Sequence, residues 1–129
     1  MLDKEEFDMN EKQALMERAY ARIKADYDTL EREWLRQEPK HLIDHAYEIA
    51  HLYEAYYFLE NELTNTNPED CRYNEDELET IANFGHGNTV TSVYEEWLHG
   101  CYEDEYTNYF YWGDLGEIIN WALFGRESR

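Results

Sequence analysis

Apolar residues recur through residues 9–34 at alternating steps of four and three, at Met16, Tyr20, Ile23, Tyr27, Leu30 and Trp34. That spacing returns side chains to one face of an α-helix, as in the seam of a coiled coil. Charges of both signs fill the other faces. Arg22 with Asp26, and Asp28 with Arg32, stand four apart, where helical side chains meet. The pattern predicts a long first helix over residues 1–37, its apolar stripe serving as a core face or as the seam of a homodimer. Glu38-Pro39-Lys40 ends it, because proline disfavours helix in the residue before it and suits the first turn of a new one.

A second helix is predicted from His41 to Leu63, with Leu42, Ile43, Ala46, Ile49, Ala50, Tyr53 and Tyr57 inward. Asn67-Pro68 marks a polar loop. Asn74 and Glu77 have capping-box spacing and open a short helix carrying Leu78, Ile81 and Ala82, which stops at Gly85. After the turn Gly85-His86-Gly87-Asn88, either Asn88 or Thr89 caps a helix with Val90, Val93, Tyr94, Trp97 and Leu98 on one face. Residues 102–112 fit a helix or an irregular segment. Asp114 reads as the cap of a last helix, with Leu115, Ile118, Ile119, Ala122 and Leu123 inward and Gly125 at its end. The expectation is one all-α domain of 129 residues, a compact bundle of four to six helices with a long N-terminal helix and a helical body over 41–125.

Charge gives that body its character. The formal net charge is −19, from 30 Asp and Glu against 11 Lys and Arg. Residues 1–40 hold eight of the bases beside 11 acids, whereas residues 41–125 hold 18 acids and one base, Arg72. A field of that sign repels nucleic acid and anionic lipid and speeds encounter with basic partners. A surface built only for solubility ordinarily intersperses both signs. Twelve Tyr and four Trp supply a core, which excludes disorder over the whole chain. The first ten residues have no apolar run of a secretion signal, and the apolar stretches at 55–59 and 118–124 are too short to cross a bilayer. Cys71 and Cys101, without a Cys-x-x-Cys pattern, read as reduced thiols of a cytoplasmic protein.

Candidate chemistry is sparse. Glu48 with His51, and Glu96 with His99, have the Glu-x-x-His spacing of di-iron carboxylate bundles. At about 100° per residue, however, helical phase places all four opposite the apolar faces predicted above, where ligands do not converge. They define an alternative reading, a metal-binding helical bundle. His41 and His45 flank Asp44 at zinc-compatible spacing but lack a third ligand nearby. The glycine-rich turn has no P-loop lysine, and no Gly-x-Ser-x-Gly occurs. No catalytic residue and no cofactor is assigned.

The acids themselves carry the leading expectation. Asp44 with Glu48, and Glu75 with Glu79, are spaced four apart, which on a helix sets their Cβ atoms about 5–6 Å from each other, close to the phosphate repeat of a DNA strand. Glu95 and the cluster Glu103, Asp104 and Glu105 extend the set, and beside that cluster stand Tyr102, Tyr106 and Tyr109. Tyrosine next to carboxylate suits arginine through ring stacking and ion pairing together, and tyrosines are enriched at binding hot spots. A rigid protein bearing such rows can occupy the nucleic-acid channel of a basic protein.

His45-Ala46-Tyr47-Glu48-Ile49 and Val93-Tyr94-Glu95-Glu96-Trp97-Leu98 resemble patterns in a family of small acidic proteins from gut bacteria and their mobile elements. As a class, a short, strongly acidic, cysteine-poor chain of that origin resembles phage anti-CRISPR and anti-restriction DNA mimics. The resemblance implies a non-enzymatic inhibitor in the host cytoplasm whose partner is a basic nucleic-acid-binding protein such as a CRISPR effector nuclease. Members of that class share charge and not sequence, so it transfers no site residue. A helical dimerisation or adaptor module is a further alternative, built on the seam of the first helix.

Overall fold

The computed structural model describes residues 4–99 and 112–125, and among these every regular element is helical. In chain order they are α1 (Lys4–Leu35), α2 (Pro39–Asp44), α3 (Ala46–Thr64), α4 (Glu75–Ala82), α5 (Thr89–His99) and α6 (Trp112–Ile119), and a π-helical turn, Asn120–Phe124, continues α6. The apolar stripe of α1 is a core face. Met16, Ala19 and Ile23 are fully buried, and Tyr20, Tyr27, Leu30 and Trp34 pack against the same cluster. Its neighbours α3, α4 and α5 of the same chain pack along α1.

Glu38 is extended (φ −69°, ψ 150°) and Pro39 opens α2, as the proline predicts. The helix expected over 41–63 is broken at His45 (φ −110°, ψ 20°), and α2 buries no side chain. The inward face of α3 also differs from the expected one. His51, Leu52, Ala55, Tyr56, Phe58, Leu59 and Leu63 are buried, whereas Ala46, Ala50, Tyr53 and Tyr57 face outward and Ile49 is half-buried. The segment is apolar around most of its circumference, so periodicity alone allows two stripes. The stripe with Leu52, Phe58, Leu59 and Leu63 goes inside because each such side chain gains roughly 1.5–3 kcal/mol on burial with no polar atom to satisfy. Tyr53 and Tyr57, with polar hydroxyls, stay on the outside, 50% and 43% exposed.

At α4 the capping box forms as its sequence predicts. Glu77 N–H donates to Asn74 Oδ1 and Asn74 N–H to Glu77 Oε1, both at 2.8 Å. Leu78 and Ile81 of this helix enter the core. The turn between α4 and α5 is tied to the middle of α1. Arg22 donates from Nη1 to the Phe84 carbonyl (2.8 Å) and from Nη2 to the Gly87 carbonyl (2.7 Å), and its Nε meets Asp26 Oδ2 at 3.0 Å. The same Asp26 oxygen accepts from Thr89 N–H (2.8 Å) and Thr89 Oγ1 (2.7 Å). Asn88 caps α5, its Oδ1 accepting from Thr91 N–H at 3.0 Å.

α6 begins at Trp112, so Asp114 lies inside the first turn and is not the cap that the sequence pattern predicts. Leu115, Ile118, Ile119 and Leu123 are buried as expected. Gly125 ends the π-helical turn in the left-handed conformation (φ 64°), which glycine adopts without Cβ strain.

Candidate interaction surface

The carboxylates predicted to meet a partner divide into two groups. Glu75 and Glu79 are exposed on successive turns of α4, an unbroken helix that keeps their i,i+4 spacing. Asp44 and Glu48 do not share a helix, because Asp44 closes α2 and Glu48 stands in the first turn of α3 beyond the break. Glu48 Oε2 pairs with His45 Nδ1 at 3.1 Å. On α5, Glu95 is exposed and Glu96 half-buried. Tyr102, Glu103, Asp104, Glu105, Tyr106 and Tyr109 lie outside the described residues, as do Cys101 and the side chain of His99.

The two groups border opposite ends of α1. Glu75 and Asp76 line a surface hollow with Lys12, whereas Glu48 lines another with Leu30, Glu33 and Trp34. At 1.5 Å of rise per residue, the separation of Lys12 from Glu33 along α1 is roughly 30 Å. That span approaches the rise of about 34 Å in one turn of B-DNA. The single base of residues 41–125 does not neutralise either group at close range. Arg72 lies with its guanidinium 5.1 Å from the Phe58 ring centroid and 5.9 Å from that of Tyr73. Gly116 of α6 makes room for it, since a Cβ there would come within 2.8 Å of Arg72 Nη2.

Between α3 and α5 the fold builds a pocket. Tyr47, His51, Tyr94 and Trp97 line a cavity of about 300 Å³. His51 is only 6% exposed, contrary to the expectation that it faces solvent, and the shifted phase of α3 is the reason. Its burial costs little because Nδ1 donates to the Tyr47 carbonyl at 2.7 Å and the ring stacks on Trp97, 4.4 Å between centroids at 22°. Trp97 in turn meets Tyr94 at 6.0 Å and 34°. Burial, and then the nearby charge of Glu48, push the Tyr94 phenol above its ordinary range. Tyr47 belongs to the pattern at 45–49, and Tyr94 and Trp97 belong to that at 93–98, so both short patterns meet at one pocket. The sequence carries half of this signal. Tyr47 and His51 are i,i+4 and Tyr94 and Trp97 are i,i+3, which puts each pair on one helix face, but only the contact of α3 with α5 brings the faces together.

Among the described residues, no group of three or more His, Cys, Asp and Glu is placed to hold a metal ion. His41 and His45 stack ring on ring at 4.4 Å, and the one His51 nitrogen named above is engaged by backbone. The glycine-rich turn presents the Phe84 and Gly87 carbonyls to Arg22, an arrangement that holds a cation rather than a phosphate. Cys71 is a buried free thiol, and burial pushes its ionisation up. No helix among the described residues is long and apolar enough to cross a membrane. No protein-family model, curated protein or solved structure matches the chain.

Proposed function

We propose that this protein is a non-enzymatic inhibitor that binds a basic nucleic-acid-binding protein through its acidic surface, with a CRISPR effector nuclease as the target class and nucleic-acid mimicry as the mode. The observation that carries this reading is the placement of carboxylates at both ends of α1, roughly 30 Å apart, on a body of 18 acids whose one base is stacked on Phe58. Helices hold the described carboxylates on a fixed frame, so little ordering entropy is lost on binding. Such a surface competes for a cationic channel by charge and shape, without base recognition.

The test is binding to a purified CRISPR effector nuclease across a salt series with guide RNA or target DNA as competitor. Affinity is expected to weaken more than about tenfold between roughly 0.1 M and 1 M salt, where the screening length falls from about 10 Å to about 3 Å. Target DNA or guide RNA should displace the protein, and cleavage should fall as it binds. Binding indifferent to both salt and nucleic acid would remove the reading.

A further inference from the structure

The outer face of α2 and α3 carries large apolar and aromatic groups that are exposed in part. Ile43 is 73%, Tyr47 77%, Tyr53 50% and Tyr57 43% exposed. The pocket formed with Tyr94 and Trp97 opens beside this face, because Tyr47 belongs to both. We propose that the Tyr47, His51, Tyr94 and Trp97 pocket receives an arginine side chain of the basic partner and anchors it on this face. The inference rests on the reading of the protein as a binder of basic partners and names the place and the chemistry of contact.

Three observations select that occupant. First, the lining supplies aromatic groups, and aromatic faces attract cations through their quadrupoles. Second, Glu48 follows Tyr47 of the lining in the first turn of α3 and lies close enough to Tyr94 to act on its phenol, so a carboxylate stands beside the pocket. Among the described residues lining this pocket there is no Lys or Arg, and Glu48 pairs with the imidazole of His45 at 3.1 Å. Third, the cavity of about 300 Å³ is small for a cofactor and suits a single side chain. Guanidinium fits better than ammonium because it is planar, stacks on rings, sheds water more readily and pairs with carboxylate through two parallel hydrogen bonds. A second copy of the chain is the poorer occupant. Each copy has a net charge of −19, and a twofold contact here would set Asp44, Glu48 and Glu54 against their own equivalents.

The experiment titrates the full chain with an octa-arginine peptide and, separately, an octa-lysine peptide at low salt. Calorimetry reads affinity, and the Trp97 indole N–H resonance, assigned by Trp97→Phe, reports on the pocket. The arginine peptide should bind more tightly than the lysine peptide by about three- to thirtyfold and should move the Trp97 resonance. Tyr47→Ala and Glu48→Gln, both at exposed or half-exposed positions, should each remove most of that preference while leaving the far-ultraviolet spectrum intact. Equal affinity for the two peptides, untouched by either substitution but abolished by salt, would overturn the pocket and leave the acidic-binder reading standing. No binding of either peptide would overturn both. A dimer in sedimentation that Tyr47→Ala dissolves would assign the face to a second copy and overturn the proposal.

Discussion

Tyr73 is 2% exposed and packs edge-on to Phe124 at 5.7 Å, yet its hydroxyl has no hydrogen-bond partner among the described residues. A buried donor left unmade costs on the order of 1–3 kcal/mol. Tyr73→Phe keeps the ring and removes the orphan group, so it should stabilise by about 1 kcal/mol, seen as a rise of roughly 2–4 °C in a melting curve. Asp26 has the opposite standing. One oxygen accepts from Arg22 and twice from Thr89, which is fully buried. Asp26→Ala strands those donors and should cost about 2–4 kcal/mol in urea unfolding, and loss below about 0.5 kcal/mol would show that the knot at the start of α5 is ornamental. The i,i+4 pairing of Arg22 with Asp26 is visible in the sequence. Their role in holding the turn at 84–89 is not, because those partners lie more than sixty positions away.

Among the elements, α3 separates what periodicity can show from what it cannot. Its two apolar stripes both satisfy helical spacing, and the core selects the one rich in leucine and phenylalanine. Leu59→Ala, at a fully buried position, should therefore cost about 2–5 kcal/mol, whereas Ile43→Ala, at a 73% exposed position of the stripe expected inward, should lie within about 0.5 kcal/mol of the parent. Equal losses would mean that Ile43 is covered in solution. By contrast, the ends of elements are local events and were legible. Pro39 opens α2, the Asn74 and Glu77 box opens α4, and Gly125 closes the π-helical turn. The exceptions are His45, where the helix expected over 41–63 breaks, and Asp114, whose capping chemistry suits a helix start but which lies two residues within α6.

The whole molecule is expected to lose stability in alkali. Tyr27, Tyr56, Tyr73 and Tyr94 each have a phenol raised above the ordinary value of about 10, in every case chiefly by burial. At Tyr56, the hydrogen bond its hydroxyl donates to Glu60 and the one it shares with Tyr20 hold the neutral form further. Since the folded chain keeps these protons longer than the unfolded one, the stabilisation they reflect is complete below pH of about 10 and falls as pH rises through the raised values. Urea midpoints at pH of about 8 and about 11, with tyrosinate absorbance followed in parallel, should show a lower midpoint in alkali and a late group of tyrosines that ionises with unfolding. A midpoint unchanged across that window would show that these phenols titrate alike in both states.

Read alone, the sequence determined the helical class, the long first helix with its apolar stripe, several helix ends, and the concentration of the net negative charge in residues 41–125. These follow from spacing, capping and composition, which act over a few residues or sum over many. Tertiary structure decided which stripe of α3 is buried, that His51 lies inside, and that Tyr47 and His51 meet Tyr94 and Trp97. The physical reason is that helical periodicity sets angles within one helix and says nothing of which neighbour covers each face. That choice is made by the volume and polarity of side chains competing for one core, where Leu52, Phe58, Leu59 and Leu63 are buried and Tyr53 and Tyr57, which carry hydroxyls, stay outside.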